Sequence, residues 1–230
     1  MLQVNNYNNA LLQEINFSFK PHQKITILGS NGAGKSTLAK LLCGITPSKE
    51  VTLYNQEVSK IHPKKRTKYI NYIPPKLEVF DEYITLEEYL RLSQIRTYLE
   101  PKNILKFLEI EHLIHKPIHK LSSGEEQLAM ISSAILHNAQ ITIFDEPTAN
   151  LDPKKSQEIF YMLKSKLFQG RIIITHDLNL AYHLGYDILY LKEGRIDFLA
   201  PSKEFFNEYN LHHFFGSSIK KVEQFIVGNL

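Results

Sequence analysis

The amino-acid sequence predicts an α/β fold with a mostly parallel core sheet, on two main observations. Four near-continuous apolar runs are typical of parallel strands that are buried on both faces, and a clear helical pattern separates the second run from the third. This strand–helix–strand order is that of an open α/β sheet, which binds ligands at the carboxyl ends of its strands. A chain of 230 residues, 43% of them hydrophobic, is long enough to bury a substantial core. The runs span 25–28, 141–144, 172–174 and 188–191.

The helix after the second run has start and stop signals. Asp152 is a candidate N-cap, Pro153 suits the first helical position, and Gly170 is expected to end the helix. Its apolar stripe consists of Ile159, Leu163 and Leu167.

The middle and the end of the chain show different sequence patterns from the rest. Residues 82–137 show helical patterns without strand-like runs, with a capping-box sequence at 85–88 and Pro101 at the start of a second helix. We interpret 82–137 as a helical subdomain inserted in a single domain, 1–230. The tail, 201–230, is expected to contain a helix and then a short β-like segment.

A glycine-rich segment follows the first run and satisfies the spacing G-x-x-x-x-G-K-[ST]. Leu38, Leu41, Leu42 and Ile45 then recur at helical spacing. A chance glycine-rich turn is the alternative, but the strand before it and the helix after it favour a phosphate-binding loop. The sequence therefore predicts a nucleoside triphosphate site. The loop consists of Gly29, Ser30, Asn31, Gly32, Ala33, Gly34, Lys35, Ser36 and Thr37.

Each part of this loop suits phosphate chemistry. The glycines let successive backbone N–H groups point at the phosphates, and the helix N-terminus favours negative charge. Lys35 can reach the β- and γ-phosphates, and the Ser36 hydroxyl can ligate Mg²⁺.

Two acids, Asp145 and Glu146, follow the second apolar run. Surface carboxylates after a strand are common, but a parallel sheet brings this strand end to the same edge as the phosphate loop. We therefore expect Asp145 to hold Mg²⁺, directly or through water, and Glu146 to polarise the water that attacks the γ-phosphate.

Composition limits the possible binding partners and cellular locations of the protein. A net charge of +3 is too small to indicate nucleic-acid binding, and the basic cluster at 64–66 is typical of a solvated loop, with an anionic membrane surface or an acidic partner as the alternative. The sequence has neither an apolar run long enough to span a membrane nor a signal peptide at its N-terminus. The single cysteine, Cys43, is expected to be a small core residue in a reducing compartment. These features predict a cytoplasmic location.

A third motif, Leu-Ser-Ser-Gly-Glu-Glu-Gln at 121–127, is by itself only a helix start with a capping box. Together with the other motifs, however, the chain resembles the ATP-binding-cassette (ABC) ATPases over nearly its whole length. The phosphate loop matches the Walker A pattern, and 141–146 matches Walker B. Residues 148–152 resemble the D-loop, and 175–177 resemble the switch-histidine segment. The motif at 121–127 looks like the family signature, with Leu121, Ser122, Ser123, Gly124 and Glu125 at its five positions.

The resemblance implies a P-loop NTPase fold with an antiparallel β subdomain beside the core sheet and the helical subdomain. It also implies that ATP and Mg²⁺ are the cofactors and that two copies pack head to tail. Each ATP then lies between the phosphate loop of one copy and the signature of the other, so that Ser122 faces the γ-phosphate in trans. His176 would contact the γ-phosphate, Asp152 would join the two sites, and Tyr7 would stack on adenine. A surface or core tyrosine is the alternative for Tyr7.

The sequence departs from the family pattern at two positions. Ser123 stands where glycine is usual, which requires a backbone that an L-residue can adopt. Pro75 stands where the family has a glutamine that ligates Mg²⁺, and the neighbouring Lys76 is a cation that cannot replace it. We hypothesise that water fills this position, which slows hydrolysis or loosens coupling to a partner.

Three histidines, His112, His115 and His119, could suggest a metal site. Pro117 interrupts any shared helix face, so a solvated loop is the better interpretation.

The resemblance implies that the chain is the ATPase subunit of an ABC transporter, peripheral on the cytoplasmic face of the membrane. Its expected partners are separate permease subunits, which dock beside the helical subdomain, and an extracytoplasmic substrate-binding protein. The segment 210–216 resembles the end of ATPases that serve iron–siderophore, haem and cobalamin importers. A soluble ABC ATPase without a transport role, for example in cofactor assembly, and an exporter ATPase are the alternatives.

Overall fold

The structure is a computed structural model that describes residues 1–78, 81, 83–149, 151–222 and 225–228. Two sequence predictions touch residues outside this part of the chain. Glu82 begins the predicted helical subdomain, and Asn150 belongs to the predicted D-loop.

The described strands and helices follow one another in a largely alternating order. The strands are β1 (Leu2–Tyr7), β2 (Ile15–Phe19), β3 (Lys24–Leu28), β4 (Val51–Leu53), β5 (Gln56–Glu57), β6 (Ile70–Ile73), β7 (Ile141–Asp145), β8 (Gly170–Thr175), β9 (Asp187–Lys192), β10 (Arg195–Ala200), β11 (Ile219–Val222) and β12 (Phe225–Gly228). The helices are α1 (Lys35–Leu42), α2 (Pro63–Arg66), α3 (Leu86–Leu92), α4 (Pro101–Phe107), α5 (Ser123–His137), α6 (Pro153–Lys164), α7 (Leu178–Leu184), α8 (Ser202–Phe205) and α9 (Glu208–Phe215).

The central sheet has the strand order β10-β9-β3-β8-β7-β6. Strands β9, β3, β8, β7 and β6 pair in parallel, and β10 joins the edge antiparallel to β9. All four apolar runs of the sequence are strands of this sheet, which confirms the predicted α/β class. Because β3, β7 and β8 are neighbours, the segments that follow them meet at one edge.

Two hydrophobic cores cover opposite faces of this sheet. In β8, Ile172 and Ile174 pack into the first core, which includes α1 and the four-stranded antiparallel sheet β2-β1-β4-β5. Ile173, between them, packs into the second core with α5 and α6. This alternation explains why the runs are nearly continuous in apolar residues, since both faces of each strand are buried.

Helices α3, α4 and α5 fall within 82–137 and pack on one another in the second core. Thr85 and Ser122 form the capping boxes of α3 and α5. The division of 82–137 into a separate subdomain remains a prediction. The second predicted helix was expected to carry Ile104, Leu105, Leu108 and Ile110, but α4 ends at Phe107, so the last two lie beyond it.

The predicted end of α6 at Gly170 is wrong. Asp152 caps α6 and Pro153 is its first residue, as expected, but the helix ends at Lys164. Gly170 instead begins β8, and Leu167 lies in the connection between the two elements. A buried cation satisfies carbonyls at and after the end of α6, because the Arg171 guanidinium donates to the Leu163, Ser165 and Phe168 oxygens, and the Tyr186 hydroxyl also donates to Leu163.

The tail contains two helices, α8 and α9, rather than the single helix predicted, and then the hairpin β11–β12. Phe205 and Leu211 anchor these helices on β9 in a third core. No helix within the described ranges is both long and apolar enough to cross a membrane.

Candidate functional site

The phosphate loop connects the end of β3 with the start of α1, as the sequence predicts. Gly34 caps α1 with a left-handed backbone, φ 98°, which a side chain would strain. A Cβ at Gly29 would collide with the Leu191 carbonyl, so the loop packs closely against the end of β9. Ser30, Asn31, Gly32 and Ser36 are exposed, which leaves this face of the loop open to a ligand.

The Lys35 side chain folds back across the loop. Its ammonium donates to the carbonyl oxygens of Gly29 at 2.8 Å and Ser30 at 3.0 Å, and the residue is 7% exposed. Burial lowers the pKa of Lys35, whereas the nearby charges of Glu146 and Asp145 oppose that effect. The ammonium is therefore held against the loop backbone and interacts electrostatically with Glu146 and Asp145.

Asp145 and Glu146 lie at the end of β7, next to the end of β8. The Glu146 N–H donates to the Ile174 carbonyl at 2.8 Å, and Glu146 itself has a left-handed backbone, φ 50°. Its carboxylate accepts a hydrogen bond from the Thr175 hydroxyl at 3.2 Å and lies 2.9 Å from His176 Nδ1. Strand β8 thus positions both the histidine and the carboxylate that the sequence assigns to catalysis.

Asp145 is 1% exposed, and its two carboxylate oxygens have different surroundings. Oδ2 accepts a hydrogen bond from the Tyr72 hydroxyl at 2.9 Å, whereas Oδ1 is buried without a well-formed hydrogen bond. Burial raises the pKa of Asp145, and hydrogen bonding from Ser36 and Tyr72 opposes that rise.

These residues fit a Mg²⁺ ion. A serine hydroxyl and a carboxylate oxygen are hard oxygen donors of the kind that Mg²⁺ prefers, alongside phosphate oxygens and water. Ser36 and Asp145 are close enough to interact, and the buried Oδ1 of Asp145 has no well-formed hydrogen bond, so it can accept a further partner.

The signature motif forms the start of α5. Ser122 is the N-cap, and its hydroxyl accepts from the Glu125 N–H at 3.4 Å while the Glu125 carboxylate accepts from the Ser122 N–H at 2.7 Å. Ser123 lies in the first turn of the helix, where serine needs no special backbone. The carboxylate of Glu125 also pairs with Lys116 at 2.7 Å.

Two side chains of α5 hold the segment that contains Pro75. Gln127 is buried, and its amide donates to the Pro75 carbonyl at 3.0 Å. Glu126 accepts a hydrogen bond from the Leu77 N–H. The start of α5 and the Pro75 segment are therefore joined by two hydrogen bonds.

Tyr7 lies in a less exposed setting than its proposed role suggests, whereas Asp152 is exposed. Tyr7 is 8% exposed within the first core, and its hydroxyl accepts from the Asn9 amide at 3.1 Å. Stacking on adenine stays a prediction, and it requires more of this ring to become accessible. Asp152 accepts from the Lys155 N–H at 3.1 Å as the cap of α6, and its contact across a dimer likewise stays a prediction.

The three histidines are not assembled into a metal site. Within the part of the chain that the structure describes, no group of three or more His, Cys, Asp or Glu side chains could hold a metal ion. Cys43 is buried just after α1, as expected for a core residue.

Sequence reasoning missed three residues that contact the site. They are Thr175, which donates to Glu146, Tyr72, which donates to Asp145, and Gln127, which holds the Pro75 segment. A hydroxyl that immediately precedes the switch histidine was a usable signal for Thr175. The contacts of Tyr72 and Gln127 join residues that are far apart in the chain, and no local pattern indicates them.

Comparisons with known proteins agree with this arrangement. A model of the ABC transporter family matches residues 12–149. The zinc import ATP-binding protein ZnuC of Wigglesworthia glossinidia brevipalpis is 33% identical over 84% of this chain and 81% of its own length. ZnuC of Mannheimia succiniciproducens is 31% identical over 74% of this chain, and the match spans only 62% of that protein's length. The solved structure of cbiO1 from Clostridium perfringens, described as part of the ABC transporter complex cbiONQ, has a TM-score of 0.74 and 29% identity, with 93% of each chain covered.

Proposed function

This chain belongs to the ABC transporter family, and on that premise we propose that it binds and hydrolyses ATP to power a metal importer. The observation that supports ATP hydrolysis most directly is the grouping of the phosphate loop, two acids and a histidine at one sheet edge. Lys35 lies within the field of Asp145 and Glu146, and Glu146 lies 2.9 Å from His176.

The proposed chemistry follows from these positions. Lys35 and the loop N–H groups bind the phosphates, and Ser36 with Asp145 holds Mg²⁺. The ion supplies charge neutralisation at the phosphate oxygens. Glu146 accepts a proton from the attacking water, and His176 orients the γ-phosphate and that water.

We further propose that two copies share each site head to tail. The Ser122 hydroxyl caps the Glu125 N–H, and the other N–H groups of the first turn of α5, with the helix dipole, favour a phosphate of the opposite copy. Gly124 has room for a side chain, because an added Cβ would make an ordinary contact at 3.4 Å from Lys155 Cγ. Gly124→Asp therefore introduces a negative charge at this surface at a position where a Cβ is accommodated.

Mixing two inactive variants tests the shared site. In a head-to-tail pair, Lys35→Ala in one copy and Gly124→Asp in the other place both defects in one site and leave the second site intact. Each variant alone should be inactive, and the mixture should recover part of the wild-type phosphate release. A mixture as inactive as its components would contradict the head-to-tail arrangement.

For the cargo, we propose a transition-metal ion or its chelate. Two relatives are named zinc import proteins, and the segment 210–216 resembles iron–siderophore-type ATPases. The chain would then act at the cytoplasmic face of the membrane with permease subunits and an extracytoplasmic binding protein.

Purification from the native membrane tests this assignment. We expect the chain to co-purify with an integral membrane protein, and the complex in proteoliposomes to take up metal when ATP is supplied on the side of this subunit. Parallel uptake of Zn²⁺ and of a ferric siderophore would separate the two cargo types. Association with soluble proteins alone, or ATP-driven extrusion of metal, would overturn the importer proposal.

A further inference from the structure

Tyr72 connects the edge strand of the sheet to the Mg²⁺ site. It lies on β6, which pairs in parallel with β7, and Tyr72 is in register with Ile143. Two residues further along β7, Asp145 accepts a hydrogen bond from the Tyr72 hydroxyl at 2.9 Å. The ring is half-buried against the first core, so its position is set by packing as well as by the hydrogen bond.

This hydrogen bond distinguishes the two oxygens of Asp145. Oδ2 is engaged by Tyr72, and the buried Oδ1 is left without a well-formed partner. A donor on one oxygen restricts rotation of the carboxylate and favours its ionised form. Hydrogen bonds of this kind to a ligand-bearing carboxylate orient it and tune its metal affinity.

The same strand leads directly to Pro75, whose side chain has no oxygen to offer a metal. The backbone carbonyl of Pro75 already accepts a hydrogen bond from the Gln127 amide. Within this segment, 72–75, Tyr72 donates a side-chain hydrogen bond to Asp145.

We propose that Tyr72 is a positioning residue for Mg²⁺, holding Asp145 through Oδ2 so that Oδ1 faces the ion. This inference rests on the proposed binding of ATP with Mg²⁺ and adds a residue to which the motifs in the sequence assign no role. A tyrosine that only fills the core would contribute to stability, but it would not change how nucleotide binding depends on Mg²⁺.

Tyr72→Phe removes the hydroxyl and keeps the ring. Tyr69→Phe is the matched control, because Tyr69 is also partly buried against the first core and stacks edge-on with Tyr54, 5.8 Å away. The affinity for ATP is measured by equilibrium binding in EDTA and across a Mg²⁺ titration. Binding of Mn²⁺ to the nucleotide complex, followed by electron paramagnetic resonance, provides a second readout that does not depend on turnover.

We expect Tyr72→Phe to bind ATP in EDTA like the wild type, and to need about 10-fold or more Mg²⁺ for half-maximal enhancement. Tyr69→Phe should match the wild type in both. In an Asp145→Asn background, Tyr72→Phe should add nothing further, because the two residues act through one carboxylate.

An unchanged Mg²⁺ requirement in Tyr72→Phe, or an equal loss of ATP affinity with and without Mg²⁺, would overturn the role of Tyr72. A wild-type protein that binds ATP without any Mg²⁺ dependence would overturn it too, while leaving ATP binding intact. A wild-type protein that binds no ATP would overturn the proposed function itself.

Discussion

Replacement of Glu146 by glutamine separates water activation from nucleotide binding. The carboxylate accepts from the Thr175 hydroxyl at 3.2 Å and lies 2.9 Å from His176 Nδ1. A glutamine oxygen can still accept from Thr175, and its amide can donate to a His176 nitrogen that carries no proton. The side chain should therefore keep its place while it loses its charge and its ability to take a proton.

The expected loss follows from that single change. A general base contributes about 10²–10⁴-fold to a rate, which corresponds to about 2.7–5.4 kcal/mol of activation free energy. Binding should be little affected, because Asp145 remains as a second carboxylate beside Lys35. Glu146→Gln should thus hydrolyse ATP at least about 100-fold more slowly, with a nucleotide affinity close to that of the wild type.

Phosphate release and equilibrium binding of ATP with Mg²⁺ are measured on the same preparations. Glu204→Gln, an identical change at an exposed position of α8, is the control and should behave as the wild type. Turnover in Glu146→Gln close to the wild-type rate would refute Glu146 as the base. A large loss of ATP affinity would show instead that its charge serves binding.

Three further outcomes are expected. Pro75→Gln adds a side-chain oxygen and should lower the Mg²⁺ requirement and speed hydrolysis; unchanged basal and partner-stimulated rates would contradict the water-filled position. Arg171→Leu removes the guanidinium that donates to the Ser165 and Phe168 carbonyls, while Leu163 keeps the Tyr186 hydroxyl, and it should lower the free energy of unfolding by about 3 kcal/mol in urea titrations; an unchanged midpoint would contradict this role of Arg171. His137 lies 2.6 Å from the Thr67 carbonyl, and burial lowers its pKa. As the pH falls, the unfolded chain therefore protonates His137 at a higher pH than the folded chain does. The melting temperature should then fall as the pH drops below about 6.5, and this fall should be smaller in His137→Gln.

Local sequence patterns were sufficient to predict the phosphate loop and the two acids after β7. Strand, glycine-rich turn and helix are consecutive there, so the backbone geometry of Gly34 and Lys35 follows from adjacent residues. The central strands were equally predictable, because burial on both faces favours a nearly continuous apolar run. Helix ends were harder to predict. Helix α6 ends at Lys164, where a cation from the next strand, Arg171, donates to the Ser165 carbonyl.

The sequence by itself therefore determined the fold class, the phosphate loop and the family. Only the tertiary structure decided which side chains complete the site, since Tyr72 meets Asp145 across 73 positions, Gln127 meets Pro75 across 52, and His176 meets Glu146 across 30. These contacts depend on the strand order β3-β8-β7-β6 and on how α5 packs beside it. The order in which strands assemble is set by burial of the whole sheet, and spacing along the chain does not encode it.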